Sequence, residues 1–268
     1  MISEQRPELE SYRDQTPRVP EPKKGVLGIV SGILLLALGK LKSLLFLLKA
    51  VPAGKMLLTT GSMFAMIALE ATRSGLPFAA GFVVLILIHE LGHGYAMRKH
   101  GVSAGWPIFI PFFGAMIAMK QQHVDRNTEA EIAFGGPYVG TLASLGAAAL
   151  GMYLHSRLLM SLAYTGFFLN LFNLTPLSPL DGGRVAQAFS RKAWIVGLVV
   201  MAGLLLATGT PQLLLVIVLA LPRVFRKGGE PDREELTERV RQSWAMRYFG
   251  LCGVLALGIY FSGVLLHR

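Results

Sequence analysis

Residues 76–97, LPFAAGFVVLILIHELGHGYAM, form an apolar run of the length a helix needs to cross a bilayer, about 20 residues. Inside it stand three ionisable side chains, His89, Glu90 and His93. Each costs roughly 2.5–3.5 kcal/mol or more at the centre of a membrane helix unless it finds a partner. A chain that keeps three of them in one span must therefore build partners around them, and no other feature constrains its fold as much. On a helix His89 and His93 face one side, about 6 Å apart along the axis. Two imidazoles so placed can share a metal ion. Glu90, about 100° round the helix, can reach a water molecule beside that ion. His-Glu-x-x-His is the spacing of a hydrolytic zinc site. The competing reading is a buried polar pair that holds helices together.

The rest of the chain fits a membrane setting. Of 268 residues, 16% are charged, where soluble domains carry about 25%. Further apolar runs cover residues 56–72, 132–154, 158–174, 193–209, 211–222 and 245–266. Residues 211–222 are short for a crossing unless the run extends to Phe225. Residues 101–120 are apolar but broken by Gly105, Pro107, Pro111 and Gly114, which points to short strands or a re-entrant hairpin. The expected fold is an all-α polytopic membrane protein of about six to seven transmembrane helices, with a short membrane-embedded strand or hairpin segment after the HExxH helix. Residues 1–24 read as a polar flexible tail without a signal-peptide pattern. Residues 25–55 read as an amphipathic or hairpin element on the membrane. Residues 56–225 form the core, 226–243 a charged cytoplasmic connector, and 244–268 a last transmembrane helix. Cys252, the single cysteine, excludes a disulfide framework and a cysteine-based metal site.

The net charge of +10 follows from topology. With the 98–126 loop in the cytoplasm and the spans alternating, only Arg73, Arg157 and Arg268 of the 26 lysines and arginines face outward. With residues 1–55 crossing zero or two times, this puts the N-terminus in the cytoplasm, and an N-terminus without a transit-like pattern favours a prokaryotic plasma membrane. The basic residues are dispersed among apolar runs, so no nucleic-acid surface is expected.

A catalytic zinc takes three protein ligands as a rule. Of four aspartates, only Asp181 is flanked by spans on both sides, in Pro179-Leu180-Asp181-Gly182-Gly183-Arg184. The 76–97 and 158–174 spans both run inward, so topology allows Asp181 to meet His89 and His93. The other reading of Asp181 is a cap on a short helix, with the glycines making the turn.

On HELGH at 89–93 and on Asn173-Leu174-Thr175-Pro176-Leu177-Ser178-Pro179-Leu180-Asp181-Gly182-Gly183, the chain resembles the site-2 protease family of intramembrane zinc metalloproteases. The likeness covers about residues 55–222. It implies one catalytic zinc ion held by His89, His93 and Asp181, with Glu90 as catalytic base. It also implies that Asn173 helps bind substrate or the oxyanion. Gly135-Gly136-Pro137 resembles the small-residue step of the family's third core helix. Leu174 stands where the family often has proline. No inserted PDZ or nucleotide-sensing domain is expected. The implied function is zinc-dependent endoproteolysis within the membrane near its cytoplasmic side. The implied partners are the lipid bilayer and, as substrate, a single-span membrane protein or a signal peptide. Residues 103–120 could add an extended substrate as a strand.

Two other readings compete. One is a membrane zinc protease with a glutamate as third ligand, although Glu129, Glu131 and the glutamates from Glu230 onward fall in loops. The other is a catalytically silent scaffold or a metal-binding transporter, neither of which needs a base like Glu90. Asn170 reads as a helix–helix hydrogen-bonding residue, Arg184 as a cytoplasmic anchor, His123 as a solvated loop histidine, and Trp194 and Trp244 as interfacial residues.

Overall fold

A short helix break at Gly75 (φ 80°), followed by Pro77 in the next first turn, separates α1, Pro52–Ser74, from α2, Leu76–Lys99. The computed structural model describes residues 52–110, 114–117, 124–190, 192–224 and 236–267. The chain divides into two units, Met1–Pro52 and Ala53–Arg268. The second holds both strands and, apart from Pro52, every helix among the described residues. The tail at 1–24, nearly all of the 25–55 element and His123 lie outside the described residues.

After α2 the prolines and glycines do what their chemistry dictates. Two strands, β1 (Ile108–Ile110) and β2 (Gly114–Met116), pair antiparallel with Phe109 opposite Ala115. Thr59 of α1 donates to the Pro107 carbonyl (2.7 Å), and the Phe109 N–H donates to Ser62 Oγ (3.2 Å), so α1 holds the β1 side of the hairpin. β2 lies against α2.

Helix α3, Arg126–Tyr153, is capped by Asp125, whose Oδ1 accepts the Thr128 N–H at 2.9 Å. Helix α4, Arg157–Asn173, is capped by Ser156. There follow a short helix α5 (Asp181–Ala186), α6 (Ala193–Thr208, ended by left-handed Gly209), α7 (Pro211–Val224) and α8 (Glu238–Leu266). The unbroken apolar runs from residue 56 onward thus lie in helices. Three helices, α2, α3 and α8, are long and apolar enough to cross a membrane by length and composition.

Helix α8 begins at Glu238, inside the stretch expected to be a connector. Its polar first turns are held by an Arg241–Glu238 pair (3.3 Å), by Arg241 on the Phe189 carbonyl (3.2 Å) and by Trp244 Nε1–H on Asn127 Oδ1 (2.8 Å). A hydropathy run marks where a helix meets lipid; tertiary hydrogen bonds carry this one further.

Helix α3 is central, packed between α2 and α4. Its buried side is built from small residues, Ala133, Gly136, Gly140 and Ser144, which lets neighbouring backbones approach. Helix α8 packs mainly on α4, and Tyr248, Leu251 and Leu255 join Phe167, Leu174 and Val185 in one core cluster. Lys99, Glu131 and Trp244 gather at one end of the bundle. Arg157, bonded to the Leu266 carbonyl (2.7 Å), marks the other.

Candidate metal centre

Three ligand atoms converge where α2, α3, α4 and α5 meet. His89 Nε2 lies 3.2 Å from Asp181 Oδ2, His93 Nε2 lies 3.1 Å from the same oxygen, and the two Nε2 atoms are 3.2 Å apart. His89, His93 and Asp181 are 3%, 5% and 7% exposed. Counted from Lys99, the two histidines sit about 9 and 15 Å up the helix, at a depth where bulk water does not screen them.

Their outer hydrogen bonds orient both rings. Carbonyl oxygens only accept, so His93 Nδ1 donates to Ile132 O at 2.7 Å. Asn170 Nδ2 donates to Gly166 O at 2.7 Å, which turns Asn170 Oδ1 toward His89 Nδ1, 2.8 Å away. His89 therefore also carries its proton on Nδ1. As neutral rings both histidines present bare Nε2 lone pairs to a carboxylate oxygen, three acceptors with no proton among them. A cation resolves that arrangement. Ligands about 2.0–2.1 Å from a tetrahedral zinc stand about 3.3 Å from one another, and the observed spacings match. The donor set, two imidazoles and one carboxylate, suits zinc.

Asp181 is the first residue of α5 and does not cap it; Leu180 holds that position. Its other oxygen, Oδ1, accepts from Arg184. Arg184, read from sequence as a cytoplasmic anchor, is thus the partner that orients the carboxylate. The turn after α4 is tight, with backbone bonds from Thr175 to Phe172, Leu177 to Thr175 and Leu180 to Leu177. A Cβ on Gly182 would collide with the Leu174 and Thr175 carbonyls, so the glycine is needed for close backbone approach, not for a positive φ. Tyr248 of α8 donates its hydroxyl to the Leu174 carbonyl and so fastens this turn from outside.

On α3, Gly136 lies directly beneath the His93 ring, where a Cβ would overlap the imidazole. Gly140, one turn on, leaves the same kind of space for the Asn170 amide. The Gly135-Gly136-Pro137 step is therefore a seat for the histidine as well as a helix contact.

Glu90 is 5% exposed and its side chain makes no hydrogen bond among the described residues. Asn173, at the end of α4, is half-buried and likewise makes no side-chain hydrogen bond among them. The structure brings together His89, His93 and Asp181 with Glu90 beside them, and adds Asn170 and Arg184. Asn170 stands one turn before Asn173 on the same face of α4. A polar amide within an apolar helix is the sequence signal for it. Glu131, one of the glutamates of the competing ligand set, is taken up by His100 Nε2 at 2.7 Å and Lys99 Nζ at 3.4 Å.

Fold and site together define a helical bundle with three helices long and apolar enough to cross a membrane and a buried group of two histidines and one aspartate that could hold a metal ion. Residues 77–158 match Peptidase family M50. Over 170 residues the chain is 28% identical to "Probable zinc metalloprotease EGY1, chloroplastic" of Arabidopsis thaliana, covering 46% of this chain and 31% of that protein. It is 28% identical over 136 residues to "Zinc metalloprotease MJ0392" of Methanocaldococcus jannaschii, covering 48% of this chain and 39% of the relative. Over residues 77–158 the chain is thus similar to peptidase family M50, and the relatives it matches carry the name zinc metalloprotease. It spans between about three-tenths and four-tenths of the length of these relatives.

Proposed function

We propose that the protein is a zinc-dependent endopeptidase that cuts membrane-embedded polypeptides near the cytoplasmic side. The observation that carries this is the triangle of His89 Nε2, His93 Nε2 and Asp181 Oδ2 with Glu90 buried alongside it. Zinc held by these three residues supplies Lewis acidity that makes water an available nucleophile near neutral pH. Glu90 takes the proton from the attacking water on a carboxylate oxygen and returns it to the leaving amine. Asn173 is assigned the role of donating its amide N–H to the carbonyl oxygen of the scissile bond as charge develops there. Burial of the ligands excludes competing water and strengthens these interactions.

A helical substrate hides its peptide bonds and must be drawn out before attack. Since Thr59 and Ser62 engage the β1 side of the hairpin, the β2 side next to α2 is the one to which an extended substrate would add. The substrate class is a single-span membrane protein or a signal peptide. The proposed topology has six to seven crossings, the N-terminus and the metal-proximal end of the bundle in the cytoplasm, and a prokaryotic plasma membrane as its setting; the 23 basic residues assigned to one side support it.

Exchange of Glu90 for glutamine tests the reading. The E90Q protein keeps its zinc and loses cleavage of a reconstituted single-span substrate. If it cleaves as fast as the wild type, Glu90 is not the base and the proposal fails.

A further inference from the structure

We propose that the hollow between α2, α3 and α8 binds an anionic phospholipid, with its phosphate at Arg239 and Arg247 and an acyl chain along the apolar wall. The hollow, about 550 Å³, opens beside α2 about a quarter-turn round the helix from the metal ligands. It exists because α8 packs on α4 and stands off from α2. Its wall is apolar: Tyr95, Ala96, Phe134, Tyr138, Val139 and Val254 line it. Tyr95 and Tyr138 are open to the surroundings at 70% and 50% exposure.

Its mouth is polar and basic. Lys99 and Glu131 pair there, and Arg247 lies over the Trp244 ring, 5.1 Å from its centroid. Arg239 lines an adjoining hollow with Asn127, Glu131 and Arg247. Neither arginine forms an ion pair among the described residues. With Lys99 and Glu131 balanced, the mouth keeps two guanidinium groups without an acidic partner among the described residues, donors whose chemistry suits a phosphate.

The depth is right for a lipid. Lys99 closes the apolar run of α2, and Arg247 stands just before the apolar stretch of α8. Both cations therefore sit where hydrocarbon meets headgroups. From that level the wall descends about two turns on each helix, Lys99 to Gly92, Glu131 to Val139 and Arg247 to Val254, roughly 10–12 Å. An acyl chain fills such a slot and leaves its charge at the mouth. A transmembrane helix would have to bring acidic residues to both arginines. The inference needs only the membrane setting and stands apart from the proteolytic reading.

Trp244 lines both hollows and reports on them. The 268-residue chain with W106F and W194F keeps it as the sole tryptophan. It is reconstituted in phosphatidylcholine vesicles holding a minor share of phosphatidylglycerol, with brominated acyl chains on one lipid or the other. Quenching is normalised to unbrominated vesicles for each variant. Brominated phosphatidylglycerol should quench beyond its share of the bilayer. R239Q and R247Q should each lower that preference about fivefold, and R157Q, at the other end of the bundle, should leave it unchanged. Quenching that simply follows the mole fraction of either lipid overturns the proposal. So does a preference that survives the double substitution. Relief of the quenching by a stoichiometric single-span peptide with acidic flanks, at unchanged phosphatidylglycerol, would assign the hollow to a helix and overturn it as well.

Discussion

Asn170 offers the sharpest test of how the metal centre is built. It is 2% exposed and His89 3%, so no solvent can replace the 2.8 Å bond between Asn170 Oδ1 and His89 Nδ1. In N170L the Nδ1–H tautomer, the one that leaves Nε2 bare for a metal, has its proton buried without an acceptor. Such a group costs about 1–3 kcal/mol. The ring has an alternative: a proton on Nε2 can bond Asp181 Oδ2, 3.2 Å away. Metal binding must then work against that tautomer, and zinc affinity should fall about 10–100-fold, the range seen when a partner of a metal-ligating histidine is removed. N170D keeps an acceptor for Nδ1 but loses the donor to Gly166 O, so its affinity should fall between the two. Competition with a chromogenic chelator on the purified protein measures all three, with circular dichroism confirming that each is folded. Retention of wild-type zinc affinity by N170L, within about twofold, would refute the idea that Asn170 selects the tautomer.

Other substitutions probe the same framework. G136A places a methyl group where His93 lies, and should weaken zinc binding while the bundle stays helical; the overpacking costs about 1–3 kcal/mol, read from thermal unfolding and chelator competition. R184Q leaves Asp181 Oδ1 without its charged partner and should lower zinc affinity about tenfold, measured in the same way. Y248F removes the bond to the Leu174 carbonyl and should destabilise the protein by about 1 kcal/mol, with accelerated hydrogen exchange confined to the Leu174–Leu180 turn. D125A removes the cap of α3 at a cost of about 1 kcal/mol, read from thermal unfolding. The hydrogen bond from Thr128 holds the Asp125 carboxyl below its ordinary range, so its contribution is present above that range and is lost as pH falls through the lowered value.

The elements were legible in the sequence because lipid leaves few options. An apolar run in a bilayer must satisfy its backbone internally, so each became a helix, and in the proline- and glycine-broken stretch between α2 and α3 the described residues form two short strands. The ligands were legible for a related reason. His89, Glu90, His93 and Asp181 stood out against an apolar background that gives ionisable groups no incidental role. What remained hidden was the register between helices. Whether an amide at 170 meets a neighbouring helix or a histidine ring depends on an alignment with residue 89 that no local pattern encodes. Arg184 was hidden by its position three residues after Asp181, where a basic residue near an interface has a sufficient bland explanation.

Helix α8 belongs to the framework of the candidate metal site for a similar reason of register, although it lies beyond the matched residues 77–158. Asp181 is fixed by a turn whose backbone closes over glycines and which is anchored through its buried Leu174 and Leu177 side chains. Such a turn is held only as firmly as what packs on it. Leu174 and Val185, on either side of the ligand, are buried in the cluster with Tyr248, Leu251 and Leu255, and Tyr248 adds a hydrogen bond to the turn itself. Two of the three ligands sit on one helix, spaced by its pitch, and need no outside support for their separation. The third must be brought to them across 88 residues of chain from His93. The helix that braces it is therefore as much a determinant of ligand geometry as the His-Glu-x-x-His helix, and truncation before Glu238 should loosen Asp181 while leaving the two histidines in place.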